Sequence, residues 1–223
     1  MRVWDLPTRA FHWLLALCMV GALASAHADG DAALRAHFLC GYAVLVLVLF
    51  RLAWGFAGPR YARFAQFVRG PGATLRYLRA LVANQPPGAA PGYPGHNPLG
   101  ALSVLALLAA SGLQAATGLF SKDDIVSEGP LARFVSDALV NRLSGAHDLG
   151  ETALYALLGL HLLAIAFYRW VKKEDLVGPM ITGDKVLAQG THATPSEERG
   201  GWGRAVVLLG LSVALVCFVV NLG

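Results

Sequence analysis

Five stretches of this chain stay apolar for about the length needed to cross a lipid bilayer. A spanning helix takes about 20 residues, because hydrocarbon offers no water to satisfy a looser backbone. The stretches are residues 7–26, 34–54, 98–120, 146–171 and 204–220. Pro98 stands well at a first helical position, where its missing N–H costs nothing. Composition agrees: 56% of the 223 residues are hydrophobic and 14% are charged, where a soluble domain carries about a quarter. The sequence therefore predicts an all-α integral membrane helical bundle. Its first stretch is too long for the apolar part of a cleaved leader and lacks a small-residue exit, so it reads as a retained helix.

The loops orient these helices. Between residues 51 and 97 stand Arg51, Arg60, Arg63, Arg69, Arg76 and Arg79, with no Asp or Glu. Arg169, Lys172 and Lys173 close the fourth stretch, while Asp29, Asp31, Asp123, Asp124, Glu128 and Asp137 lie in the other two loops. The positive-inside rule then places the N-terminus in the cytoplasm, with residues 27–36 and 121–146 outside. "PGATLRYLRALVA" reads as a short helix on the inner membrane surface, with Arg76 and Arg79 near anionic lipid. "GPLARFVSDALVNRLSG" reads as a separate amphipathic helix on the outer face. Residues 183–203 are polar and Gly-rich and read as a flexible linker. The net charge of +4 is modest and its basic residues are local, which argues against a nucleic-acid partner. Cys18, Cys40 and Cys217 sit in apolar runs and form no CxxC or CxxCH pattern, so they read as buried apolar residues rather than a disulfide framework or a haem attachment.

The histidines carry the chemistry. "HDLGETALYALLGLH" begins at His147 and ends at His161. Fourteen helical residues return to within about 40° of the starting direction and advance about 21 Å, so the two imidazoles share one helix face at two depths. Polar side chains inside a membrane are rare unless they bind something or line a path. His12 matches the depth of His161 near the inner surface, and His37 matches His147 near the outer surface. Zinc prefers three or four ligands with Cys or carboxylate among them, and none stands at these depths. Haem iron between two axial histidines fits best; another metal, or core and proton-relay histidines, are the alternatives. His27 is the rival to His37 for the outer pair. His96 sits at the membrane surface and reads as a propionate contact or a solvated loop residue, and His192 as solvated. Arg51 lies fourteen residues after His37 on the same face, where an inner-haem propionate would answer its charge; an ordinary positive-inside arginine is the alternative. Gly41, Gly112 and Gly118 would make room for a ring or permit close helix packing. Tyr155, Asp148, Asn141 and Arg142 are candidates for a quinone pocket.

"RVWDLPTRAFHW", "LCGYAVLVLVLFRLAWGFAGPRYARFAQFV", "GHNPLGALSV" and "HDLGETALYALLGLHLLAIAFYRWVKKEDLVGPMITG" resemble the bacterial cytochrome b561 and nickel–iron hydrogenase b-type cytochrome family. The resemblance covers roughly residues 1–187. It implies a four-helix membrane protein with two non-covalent haem b groups that exchanges electrons with quinones. The family's axial histidines fall on His12, His37, His147 and His161. The expected organisation is a di-haem domain over residues 1–182, a cytoplasmic linker over 183–203 and a fifth membrane helix over 204–223 that the haems do not need. The expected function is electron transfer in the bacterial inner membrane between the quinone pool and an extracytoplasmic redox partner. A membrane-anchor subunit of a larger dehydrogenase or hydrogenase, and a superoxide:quinone oxidoreductase, are the alternatives. The acidic outer loops favour a basic, cytochrome c-like protein as partner over an anion.

Overall fold

A computed structural model describes residues 1–83, 93–122, 128–186 and 201–222. Ten helical elements run along it: α1 (Leu6–Ala26), α2 (Asp31–Ala57), a 3-10 turn at Arg60–Ala62, α3 (Phe64–Phe67), α4 (Pro71–Val82), α5 (Pro98–Gly118), a 3-10 turn at Ala132–Phe134, α6 (Asp137–Trp170), α7 (Val177–Thr182) and α8 (Gly201–Val220). Five of them, α1, α2, α5, α6 and α8, are long and apolar enough to span a membrane. The chain is a multi-pass helical membrane bundle.

The helix starts follow local chemistry. Asp5 caps α1, accepting a hydrogen bond from the Thr8 amide at 2.9 Å, and Pro7 occupies the first turn. Asn97 caps α5 through the Gly100 amide at 2.8 Å, with Pro98 following it. The tight turn from α1 into α2 needs Gly30, whose φ of 94° a side chain would strain.

One boundary differs from the sequence reading. The expected outer amphipathic helix and the fourth membrane helix form one continuous helix, α6, of 34 residues. No proline interrupts it, and Gly145, Gly150 and Gly159 stand singly, which a helix tolerates. At 1.5 Å per residue it runs about 50 Å, longer than the roughly 30 Å of hydrocarbon, so its first turns stand clear of the apolar layer. The short helix expected in "PGATLRYLRALVA" appears as α4. Its Tyr77 hydroxyl meets that of Tyr168 at 2.7 Å, and Asn97 Nδ2 donates to Tyr168 at 3.0 Å, which docks α4 against α5 and α6. The presumed linker begins as fixed chain: Gly183 O accepts from the Val3 and Trp4 amides at 2.9 and 3.1 Å, and Arg2 pairs with Asp184 at 3.0 Å. The remainder of it, with His192, lies outside the described residues.

The spanning helices alternate in direction. α1 packs on α2, α5 on α6, and α2 on both α5 and α8. Their shared core joins Phe11 and Met19 of α1, Val44, Leu47, Val48, Phe50 and Trp54 of α2, Leu108 of α5, Leu154 of α6 and Ala205 of α8. α6 is the exception to close packing: only Val140, Leu154 and Tyr168 are buried along its length, and its one intimate neighbour is α5.

Asp5 does more than cap. It is 3% exposed and also accepts from Thr8 Oγ1 at 2.7 Å and from the Trp54 indole at 3.1 Å. It therefore ties the start of α1, two turns before His12, to the end of α2. Asp5→Ala should remove the cap and leave a buried indole N–H unpaired, costing roughly 2–4 kcal/mol. Equilibrium unfolding of the detergent-solubilised protein checks this; an unchanged midpoint would show that the tie contributes nothing.

Candidate functional site

Six of the seven histidines lie within the described residues, and the fold sorts them. His37 on α2 and His147 on α6 face each other across the bundle with ring centroids 6.2 Å apart and planes at 83°. A metal held about 2 Å from an imidazole nitrogen on either side would set two ring centroids about 6 Å apart, so this spacing suits an ion between them. Both rings are anchored from behind. His37 Nδ1 lies 2.9 Å from Ala22 O, and His147 Nδ1 lies 2.9 Å from Gln114 O. A carbonyl only accepts, so each Nδ1 carries the proton and each Nε2 keeps its lone pair for a ligand. Thr117 Oγ1 lies 3.2 Å from the same His147 nitrogen and has its own hydrogen directed at the Leu113 and Gln114 carbonyls. Gly118 makes the arrangement feasible. A Cβ there would come within 2.9 Å of His147 Cε1, so its role is to admit the imidazole. Gly41, one turn from His37, has open space beside it, whereas Gly112 meets Val48 and serves helix packing.

His27, the rival to His37, is otherwise engaged. Its Nε2 pairs with Glu151 Oε1 at 2.7 Å and approaches the Tyr155 hydroxyl at 3.1 Å, bridging α1 to α6. Among the quinone-pocket candidates only Tyr155 joins this trio; Asp148, Asn141 and Arg142 are exposed on α6.

At the end of the bundle that carries the N-terminus, His12 on α1 and His161 on α6 both lie close to His96. His96 is not a solvated loop residue. It packs edge-on to Trp4, with centroids 4.7 Å apart, and beside Phe67 at 4.8 Å. Burial, then the positive Arg51 and Lys185, and then His12 and His161, hold its pKa down to about 3, so it is neutral at physiological pH. Arg51 is 2% exposed. Its guanidinium lies 5.0 Å from the Phe64 ring centre and 6.0 Å from that of Phe67. Among the described residues, the buried atoms His12 Nδ1, His96 Nδ1 and Arg51 Nη1 have no hydrogen-bond partner. Buried polar atoms are rarely left so unless a further group answers them. One belongs to His12 and the other two to residues near it, and the guanidinium among them suits an anionic group.

No cluster of three or more His, Cys, Asp or Glu side chains that could hold a bare metal ion exists among the described residues. His37 faces His147, and His12 and His161 lie near His96, an arrangement that suits a porphyrin better than a bare ion. A family model for prokaryotic cytochrome b561 matches residues 3–183. The chain belongs to that family. It is thus a membrane b-type cytochrome of electron transfer, and the b561 family implies b-type haem. The matched region takes in α1 to α7 and the six histidines of the described residues, and leaves His192 and α8 outside it. No curated protein and no solved structure matches the chain.

Sequence reasoning missed Glu151, and with Gln114 and Thr117 it missed the backbone and hydroxyl partners that hold His147. A signal for Thr117 existed, since it is the only hydroxyl side chain in "GLQAATGLF"; Gln114 acts through its backbone carbonyl, which its side chain does not announce.

Proposed function

We propose that this chain carries single electrons across the bacterial inner membrane, between the quinone pool and an extracytoplasmic redox partner. His12 and His161 would hold one haem b at the cytoplasmic end, and His37 and His147 a second at the outer end. The observation that carries the reading is the His37/His147 pair: facing rings at the spacing of a shared ligand, each with its Nδ1 committed to a backbone carbonyl. Bound haem supplies a one-electron ferric/ferrous couple.

The protein's own contribution is placement. α6 sets His147 and His161 fourteen residues apart on one face, about 21 Å along the axis, so the two ligated rings bridge much of the apolar layer between them. Arg51, with an unpartnered Nη1, would bind a propionate of the cytoplasmic haem through its N–H donors. His96, held neutral, stands beside it as a further donor or acceptor. The end bearing the N-terminus also bears Arg60, Arg63, Arg69, Arg76 and Arg79, which favours a cytoplasmic N-terminus. Residues 1–182 would form the di-haem unit, and α8, packed on α2, an addition to it.

At the outer end, Asp29, Asp31 and Asp137 are exposed, while Asp123 and Asp124 of the proposed acidic dock lie outside the described residues. A cationic protein such as a basic c-type cytochrome suits this face. The apolar, exposed flank of α8, with Val206, Val207, Leu211 and Phe218, favours the second reading, in which the chain anchors a larger dehydrogenase or hydrogenase through a partner helix.

One preparation tests the proposal. The pure chain should show the reduced-minus-oxidised spectrum of a bis-histidine b-type cytochrome, contain two haems per polypeptide and be reduced by a short-chain quinol. In stopped flow it should then reduce a basic cytochrome c at a rate that falls with added salt. Haem with no quinol reaction, together with copurification of a large subunit, would favour the anchor reading. A rate indifferent to salt would remove the electrostatic dock.

A further inference from the structure

The surface of α4 divides into three sectors. At 100° per residue, Ala73, Thr74, Tyr77, Ala80 and Leu81 fall within about 60° of one direction, and all five are half-buried. This sector meets the bundle. The Tyr77 hydroxyl lies 2.7 Å from that of Tyr168, which also accepts from Asn97 Nδ2 at 3.0 Å. These anchors fix the level of α4. Asn97 is the N-cap of α5, and Tyr168 stands in the last turn of α6. α4 therefore lies where the spanning helices end, at the depth of the lipid headgroups.

The other two sectors differ in chemistry. Leu75 and Leu78 stand roughly 100–160° to one side of the buried sector and are 48% and 42% exposed. Arg76 and Arg79 stand at roughly the same angles on the other side, both exposed. Among the described residues no hydrogen bond or ion pair engages either guanidinium. Glu174, the acid that acts on Tyr77 from the bundle side, is paired with Lys185 at 3.0 Å. Residues 51–97 hold no Asp or Glu, and Arg60, Arg63 and Arg69 precede the helix. An apolar flank beside a basic one selects among anionic ligands. A nucleic-acid backbone would answer the arginines and leave the leucines against water. At a bilayer surface, acyl chains take the leucines and negative headgroups take the guanidiniums.

We propose that α4 is a binding element for anionic phospholipid in the leaflet on the N-terminal side of the bundle. Arg76 and Arg79 engage the headgroup phosphate, and Leu75 and Leu78 enter the acyl layer beside it. Lipid of that charge holds α4 against Tyr168. The inference needs neither a haem nor a direction of electron flow, so it stands or falls apart from the function proposed above.

Hydrogen exchange of the full chain in lipid nanodiscs tests this. One set of discs holds phosphatidylcholine, whose own cation offsets its phosphate. The other holds equal parts of phosphatidylcholine and phosphatidylglycerol. Amides of α4 should exchange more slowly in the second set, by roughly five-fold for each arginine engaged. Added salt should shrink the difference. Arg76→Gln with Arg79→Gln should lose most of it, and Arg76→Lys with Arg79→Lys, which keeps both charges, should retain it. These are surface positions, and unchanged exchange in α5 and α6 shows that the variants fold. Equal exchange of α4 in the two discs would overturn the proposal. So would a difference that survives both glutamines, or one spread evenly over α5 and α6 as a general bilayer effect. Inorganic phosphate added to the phosphatidylcholine discs should change nothing; slowing of α4 by it would make the ligand a free anion and overturn the assignment to lipid.

Discussion

Alanine at His161 or at His12 should leave the chain with half of its haem, and alanine at His37 or at His147 should leave the other half. Pyridine haemochrome analysis of the purified variants reads the loss directly. The expectation follows from how the ligands are distributed. α6 supplies one imidazole to each pair, α1 supplies the partner of one and α2 the partner of the other, so no single removal breaks both. A haem with one axial imidazole left in a hydrophobic bundle loses a coordinate bond and the orientation that bond fixes. The remaining pair stands about 21 Å away along α6 and keeps both of its imidazoles. The two losses should also differ in kind. Without His147, His37 still donates to Ala22 O, so a high-spin residue of haem on one ligand is expected before full loss. His12 lacks such a tether, and removal of His161 should empty the site outright. The outcome that sinks the outer pair is specific: loss of haem on His27→Ala with none on His37→Ala. The structure gives His27 another occupation, with Glu151 and Tyr155, so His27→Ala should loosen the α1–α6 bridge and retain both haems.

How much of this was written in the sequence depends on the physical period of each signal. The four spanning segments of the matched region, and the depth pairing of the histidines, follow from hydrophobic length and a 3.6-residue repeat, and both are local properties. The end of α6 was harder. An amphipathic segment running into an apolar one changes its pattern of polarity without changing its backbone, so hydropathy marked a boundary at 146 where the helix continues from Asp137. One of the two readings of His96, the solvated loop residue, fails for a related reason. Proximity to Pro98 places it at the membrane surface, but only tertiary packing puts Trp4 and Phe67 against its ring. The anchors of His37 and His147 are backbone carbonyls on neighbouring helices. Every residue has a carbonyl, so no residue type announces them. Gly118 was visible as a small residue in α5, but the sequence offered two roles for it, and only the 2.9 Å approach to His147 chooses between admitting a side chain and admitting a helix.

That approach yields the second large effect. Gly118→Val should cost the chain its outer haem while sparing the inner one. A Cβ at this position would stand 2.9 Å from His147 Cε1, 3.3 Å from Nδ1 and 3.7 Å from Nε2, and valine adds two methyl groups beyond that atom. The imidazole cannot yield by sliding along its own helix, because Nδ1 is tied to Gln114 O on the same α5 that carries residue 118. It must rotate out of the pair or push α5 and α6 apart. Rotation breaks the Nδ1–H donation that fixes the tautomer and the aim of Nε2, a kind of loss that typically lowers metal affinity about 10–100-fold. Separation would instead disturb the α5–α6 contact where Gly150 leaves room for the Gln114 side chain, and would lower stability as well. The two routes are told apart by Gly118→Ala, which adds the Cβ alone. If the ring rotates, the alanine variant should keep its melting temperature and show weakened outer-haem retention under haem competition with apomyoglobin. If the helices part, both variants should melt earlier with haem stoichiometry falling in step. Full retention of two haems in Gly118→Val, with an unshifted spectrum, would mean that His147 does not face its ligand from where the structure places it.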